Sequence, residues 1–283
     1  MFSKLLCAID FSPGSQQALQ VAARMAKELD AELVLVHVWY VPSLGYSEGW
    51  PVAGWDGLRE RSERMLEAAQ QQVVSTGVSR VSTMFISGIP WLQIAELTRD
   101  READLVVIGA HGPTGGSRFA LGSVAEQVVR HANCSVLVAR GDSAVFRHVL
   151  CPVDFSVESD QATRRAGEIA RESITLFHAI EMPALFAFEP NRTAEASELE
   201  SRATRTLEDR ARELKSSFRG TVSTRANLGS PASAVLAVLE DNPELDLVVV
   251  GSRGRTGLRR LLLGSVAEKI VRHARTSVLV ARA

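Results

Sequence analysis

The two halves of this 283-residue chain repeat each other. Residues 109–140 align without a gap to residues 251–282, and 21 of these 32 aligned positions are identical. The two segments are offset by 142 residues, which is the size of an ordinary domain, so a tandem duplication is expected to fold as two similar domains. The polar segment 141–143 is the predicted linker, and the predicted domains are 1–142 and 143–283.

Strands and helices are predicted to alternate within each repeat, with five strands and four helices in the same order. Glu32–Trp39, for example, is a continuous apolar run, which is typical of a parallel strand covered on both faces. The predicted fold class is therefore α/β, with two tandem doubly wound parallel five-stranded sheets. The last strands, Ser135–Arg140 and Ser277–Arg282, are short, apolar and identical in sequence. Because such edges seek a partner, we expect them to pair and to form an intramolecular pseudo-dimer.

Composition excludes several classes of function. The formal net charge is −1, which provides no field to attract nucleic acid or an anionic membrane. The sequence contains no run of 18 apolar residues, so no membrane-spanning helix is predicted. The first residues do not resemble a signal peptide. The three widely spaced cysteines fit a reducing compartment better than a disulfide framework. These features together favour a cytoplasmic location.

One motif follows the fourth predicted strand of each repeat, with the spacing Gly-x2-Gly-x9-Gly-Ser. Its members are Gly109, Gly112, Gly122 and Ser123 in the first repeat, and Gly251, Gly254, Gly264 and Ser265 in the second. Glycines let backbone amides approach an anion, and the first amides of the following helix attract a phosphate. The serine hydroxyl is expected both to cap this helix and to donate to a phosphate oxygen. The motif therefore predicts a phosphate cradle at the carboxyl ends of the strands.

Two further matches accompany this motif: Asp-x-Ser ends the first strand, and a histidine follows the second strand. These residues are Asp10 and His37 in the first repeat, and Asp154 and His178 in the second. With them, the whole chain resembles a tandem universal stress protein of the ATP-binding branch. The resemblance implies an adenine-nucleotide alpha hydrolase-like fold that binds ATP or ADP with Mg²⁺. It also implies a nucleotide-dependent role in the stress response, with a protein partner that the sequence does not identify.

The resemblance further implies which residues surround the nucleotide. Those expected at the adenosine end are Ala8, Ile9, Asp10 and Val38, and Pro152, Val153, Asp154 and Ala179. Those expected at the ribose and phosphates are the eight motif residues with His111, Val124, Arg253 and Val266. No catalytic residue and no metal ligand is assigned. Nucleotide binding is expected in at least one repeat. The second repeat has the more basic phosphate loop, with Arg253, Arg255, Arg259 and Arg260. It also has a three-residue deletion before its second strand, which makes its adenine pocket the less certain of the two.

Three functions remain open at this point. The first is a nucleotide-binding stress-response regulator. The second is a slow ATPase or autophosphorylating protein, with Ser123 or Ser265 near the γ-phosphate. The third is a scaffold without nucleotide, in which the apolar segment Phe186–Phe188 binds a partner or a lipid. Assembly of two tandem chains into a homodimer is also left open. The chain has no Gly-x4-Gly-Lys-Ser/Thr loop and no Gly-x-Ser-x-Gly elbow, which excludes a P-loop enzyme and argues against a serine hydrolase.

Overall fold

The chain divides into two compact units, Met1–Ala144 and Val145–Ala283. The computed structural model describes residues 1–40, 55–112, 121–141, 144–181, 192–254 and 263–282. The predicted domain boundary, between residues 142 and 143, lies outside the described residues.

The first unit contains five strands and four helices among its described residues. They are β1 (Lys4–Ala8), α1 (Pro13–Leu29), β2 (Glu32–Trp39), α2 (Trp55–Ser75), β3 (Val81–Ser87), α3 (Pro90–Asp100), β4 (Leu105–Gly109), α4 (Ser123–His131) and β5 (Ser135–Ala139). The strands are parallel in the order β3-β2-β1-β4-β5. β1 therefore lies between β2 and β4, and the chain reverses its direction of winding there.

The second unit repeats this arrangement in its described part. Its elements are β6 (His148–Pro152), α5 (Val157–Ile169), β7 (Ser173–Ile180), α6 (Arg192–Lys215), β8 (Thr221–Leu228), α7 (Pro231–Asp241), β9 (Leu247–Gly251), α8 (Ser265–His273) and β10 (Ser277–Ala281). Its parallel strands follow the order β10-β9-β6-β7-β8. The predicted doubly wound α/β fold is confirmed for both units.

The central strands form the core of each unit. Every residue of β4 and β5 is buried, as the continuous apolar runs in the sequence predict. Cys7 and Cys151 lie in β1 and β6 with no exposed surface, and burial raises the pKa of both thiols to about 12. Cys134 is also buried. No helix in the described part of the chain is both long and apolar enough to cross a membrane.

The helices that follow β1 and β6 begin at serine caps. The Ser12 side chain accepts a hydrogen bond from the backbone N–H of Ser15 at 3.2 Å, and proline occupies the first turn of α1. In the second unit Ser156 accepts from the backbone N–H of Ser159, also at 3.2 Å. These caps set where each helix starts, close to the carboxyl ends of the strands.

Candidate functional site

A strained turn follows β1 in the first unit. Phe11 has a φ of 64°, in the left-handed region that large side chains rarely occupy. Its ring packs on the His37 imidazole with 4.7 Å between centroids. His37 Nδ1 donates to the carbonyl oxygen of Ile9 at 2.8 Å, since a carbonyl can only accept. Burial lowers the pKa of His37, while the Ile9 bond and the charge of Asp10 oppose that shift.

The second unit has the same turn. Phe155 also has a φ of 64°, and its ring lies 4.6 Å from that of His178. His178 Nδ1 donates to the carbonyl oxygen of Val153 at 2.6 Å. The two histidines lie near the ends of β2 and β7 but still inside these strands. For His37 this agrees with the predicted strand Glu32–Trp39. Their contacts hold the backbone at the end of the first strand of each unit.

The turn directs an aspartate towards the glycine motif. Asp10 Oδ1 accepts from the backbone N–H of Ser12 at 3.0 Å and from the Ser12 hydroxyl. Its other oxygen faces Gly112, where an added Cβ would lie 3.0 Å from Oδ2. Asp154 is held in the same way in the second unit, and a Cβ at Gly254 would lie 2.7 Å from its Oδ2. Each unit thus brings a carboxylate against the second glycine of its motif.

The first motif glycine serves close packing. A Cβ at Gly109 would lie 2.5 Å from backbone atoms of Gly14, at the start of α1. A Cβ at Gly14 would in turn lie 2.4 Å from the carbonyl oxygen of His111. The end of β4 and the start of α1 therefore touch backbone to backbone. This packing draws the Gly109–Gly112 segment and the Asp10 turn together.

The serine after the third motif glycine does not cap the helix, so that prediction is wrong. Gly122 is the N-cap of α4, with φ −64° and ψ 146°, and no side chain caps this end. Gly264 is the N-cap of α8 in the same conformation. Ser123 and Ser265 are therefore the first helical residues, because the extended residue falls one position earlier. The Ser123 hydroxyl is not used as a cap and lies instead at the site.

A cavity of about 180 Å³ opens where these segments meet in the first unit. All ten residues that the sequence analysis assigned to the first repeat line it: Ala8, Ile9, Asp10, Val38, Gly109, His111, Gly112, Gly122, Ser123 and Val124. His111 Nε2 is buried and has no hydrogen-bond partner among the described residues. The lining combines apolar side chains, such as Val36 and Ile94, with the polar side chains of Asp10, Ser15, His111 and Ser123.

The ten residues assigned to the second repeat occupy the matching places. They are Pro152 at the end of β6, Val153 and Asp154 in the turn, Ala179 in β7, Gly251 at the end of β9, Arg253 and Gly254 after that strand, and Gly264, Ser265 and Val266 at the start of α8. The two units differ in the side chains at these places. In the first unit Ala8 pairs with Val36 on the neighbouring strand. At the equivalent place in the second unit, Pro152 pairs with Phe177. Arg253, at the place of His111, forms an ion pair with Glu158 at 3.9 Å. Arg255, Arg259, Arg260 and the segment Phe186–Phe188 lie outside the described residues.

Comparison with known proteins identifies the family. A sequence model of the universal stress protein family matches residues 1–140 and again residues 146–282. The chain belongs to the universal stress protein family. The two matches correspond to the two units.

Relatives within the universal stress protein family match either nearly the whole of this chain or one half of it. Two universal stress proteins of Mycobacterium tuberculosis are each 30% identical to this chain, over 98% of it and 96% of the relative. One from Methanocaldococcus jannaschii is 34% identical over half of this chain and 83% of its own length. The crystal structure of a universal stress protein from Archaeoglobus fulgidus covers 99% of this chain with a TM-score of 0.68 at 22% identity. At that identity the likeness concerns the fold.

Several lining residues of this universal stress protein were missed by the sequence analysis. They are Ser15, Val36, Pro90, Ile94, Ile108 and Ala110. Val36 could have been found, because it lies two residues before Val38 and so faces the same side of β2. Pro90 and Ile94 come from α3, and no local pattern indicates that this helix reaches the cavity.

Proposed function

We propose that this universal stress protein binds an adenine nucleotide, ATP or ADP, in the cavity of its first unit, and that occupancy regulates its interaction with a protein partner. One observation carries the proposal. The ten residues of the first repeat that the family resemblance assigns to the nucleotide come from four separate stretches of sequence, yet all of them line one cavity. The cavity also lies at the carboxyl ends of parallel strands, where open α/β sheets commonly hold ligands.

The two ends of the cavity suit the two ends of a nucleotide. Ile9, Val36, Val38 and Ile94 provide apolar surface for a purine ring. The Asp10 carboxylate is available to accept from a ribose hydroxyl or from the adenine amine, because carboxylate oxygens accept several bonds.

The opposite end suits phosphate. The N-terminus of α4 presents unpaired amides and the positive end of the helix dipole. The Ser123 hydroxyl lies at this end, where it can donate to a phosphate oxygen, and His111 lines the same cavity. A side chain at Gly122 would crowd the backbone at this end, since its Cβ would lie 3.2 Å from the carbonyl oxygen of Ala110.

Magnesium would be held mainly by the nucleotide. Asp10 is the one carboxylate among the described lining residues, and no group of three metal-binding side chains occurs in the described part of the chain. Mg²⁺ commonly binds through substrate phosphates, water and one or two carboxylates, so this donor set is compatible with it. When bound, the ion would neutralise phosphate charge.

Regulation by nucleotide occupancy requires only that the nucleotide has different affinities for two conformations of the protein. A nucleotide that binds one conformation of the protein more tightly shifts the population towards that conformation. Binding also fits the cavity better than catalysis does, because Oδ1 of the single lining carboxylate already accepts two hydrogen bonds from Ser12.

The test is to measure nucleotides released by acid from protein purified without added ligand, and to count moles per chain by mass spectrometry. Gly122→Val and Gly264→Val are designed to obstruct one cradle each. A Cβ at Gly122 would lie 3.2 Å from the Ala110 carbonyl oxygen and a Cβ at Gly264 would lie 3.3 Å from the Arg253 Cα. The backbone angles at both glycines remain accessible to valine. We expect bound ATP or ADP in the wild type, and its loss from the first unit in Gly122→Val. Absence of any nucleotide, together with no rise in melting temperature at millimolar ATP and Mg²⁺, would overturn the proposal in favour of a scaffold.

A further inference from the structure

The two units share the glycine motif but differ at one position of their second strand. Val36 lines the cavity of the first unit and pairs with Ala8 in the register of β2 and β1. Phe177 takes this place in the second unit, where it pairs with Pro152. The motif alone predicts one nucleotide site in each unit, whereas this position makes the two units unequal.

The histidine next to Phe177 fixes the face of the strand on which the ring lies. His178 packs on the Phe155 ring at 4.6 Å between centroids and donates to a backbone carbonyl oxygen of the same turn. His37 makes the same two contacts in the first unit. Neighbouring side chains of a strand lie on opposite faces of the sheet, and a slip of one residue would exchange the two faces. Phe177 therefore lies on the face on which Val36 lines the cavity.

The phenyl ring of Phe177 is comparable in size to the space that the first unit leaves open. The cavity of the first unit has a volume of about 180 Å³. An apolar protein cavity of about 150 Å³ holds one benzene molecule, which has the size of this ring. Phe177 has no exposed surface, so other atoms surround the ring on all sides. In the second unit a packed side chain thus lies where a purine ring would have to lie.

Four apolar positions of the cavity lining carry a smaller residue in the second unit. The lining residues Ile9, Val38, Ile94 and Ile108 correspond to Val153, Ala179, Val235 and Val250. The three valines among these replacements are buried. Protein interiors are close-packed, so a larger side chain fits without strain only where its neighbours become smaller. This exchange of sizes is the one expected where Phe177 has become part of the core.

We propose that Phe177 excludes adenine from the second unit, so that each chain holds one nucleotide, in its first unit. Phe177 is then a specificity-determining residue, because it fills the place of the base although the glycine motif is kept. This inference rests on the proposed function, since it takes the cavity of the first unit as the nucleotide site. Removal of the ring should open a second site, and a ring at position 36 should obstruct the first.

The experiment exchanges the two side chains in the full chain and counts the sites. ATP with Mg²⁺ is titrated by calorimetry into nucleotide-stripped wild type, Val36→Phe, Phe177→Val and the double exchange. We expect one site in the wild type, two in Phe177→Val, and a single site weakened about tenfold in Val36→Phe. The double exchange should regain the lost affinity in the second unit, so that adding Gly264→Val removes it and adding Gly122→Val does not.

Phe218→Val is the matched control for Phe177→Val. Phe218 is also a buried phenylalanine of the second unit, but it lies between α6 and β8 and not on the strand beside the cradle. The control should keep one site. Circular dichroism checks that each variant folds. Phe177→Ile, which removes less volume and keeps a β-branched residue in β7, repeats the test if the valine variant does not fold.

The outcomes separate the two proposals. Two sites in the wild type, one site in the folded Phe177 variant, or a second site gained equally by Phe218→Val would each overturn the role of Phe177. The proposed function is judged separately on Gly264→Val, in which only the cradle of the first unit is left open. If that variant binds no ATP, the proposed function itself fails, and this inference fails with it.

Discussion

Replacing Gly14 by alanine should destabilise the first unit, even though alanine forms helices better than glycine. Helix propensity alone predicts a gain of up to about 1 kcal/mol in the free energy of unfolding. The new Cβ, however, would lie 2.4 Å from the carbonyl oxygen of His111, and backbone atoms cannot move aside by rotating a side chain. The steric effect and the propensity effect therefore have opposite signs.

The steric effect should be the larger one. Cβ contacts below 3.0 Å essentially never occur, so α1 and the end of β4 must separate by about 0.6 Å or more. Forcing extra atoms into a packed site costs about 1–3 kcal/mol. We expect a net loss of about 1–2 kcal/mol, which for a unit of this size lowers the melting temperature by about 2–8 °C.

Tryptophan fluorescence reports on this unit selectively during urea or thermal unfolding, because all four tryptophans belong to it. They are Trp39, Trp50, Trp55 and Trp91. Gly57→Ala is the matched control: Gly57 lies in α2 of the same unit, and its added Cβ would meet nothing within 4 Å. This control should raise the unfolding midpoint. A raised midpoint for Gly14→Ala as well would refute the packing argument.

Three further predictions concern the same elements. Because burial lowers the pKa of His37, the unfolded chain binds its proton more readily, and the first unit should lose stability as pH falls below about 6.5. His37→Gln should flatten that dependence in fluorescence-monitored urea unfolding. A thiol reagent at pH 8 should label Cys7, Cys134 and Cys151 only after denaturation, since all three are buried. Val36→Phe should fill the cavity and weaken ATP binding about tenfold in calorimetry.

Each of these three predictions would be contradicted by a specific outcome. An unchanged pH profile in His37→Gln would mean that another group controls acid stability. Rapid labelling of a thiol in the folded protein would contradict its burial. Unaltered ATP affinity in Val36→Phe, measured with the second unit closed by Gly264→Val, would separate Val36 from the binding site.

Local signals in the chain were sufficient for much of the architecture. The duplication predicted two similar units, and apolar runs separated by helical periodicity predicted the order of strands and helices. The motif predicted that a helix follows the third glycine, and α4 begins there, at Ser123. Ten lining residues were also predictable, since the carboxyl ends of parallel strands meet at one edge and the motif marks which loops lie there.

Other features depend on distances between residues that are far apart in sequence. Gly14 and His111 are 97 positions apart, so no pattern along the chain indicates that their backbones touch. The approach of Ile94 to the cavity and the pairing of Glu158 with Arg253 are of the same kind. The N-cap of α4 is Gly122 and not the predicted Ser123. The backbone angles at this position are set by packing as well as by side-chain preference. Periodicity along a chain encodes which face of an element is apolar, whereas contacts between elements are decided only when the elements pack.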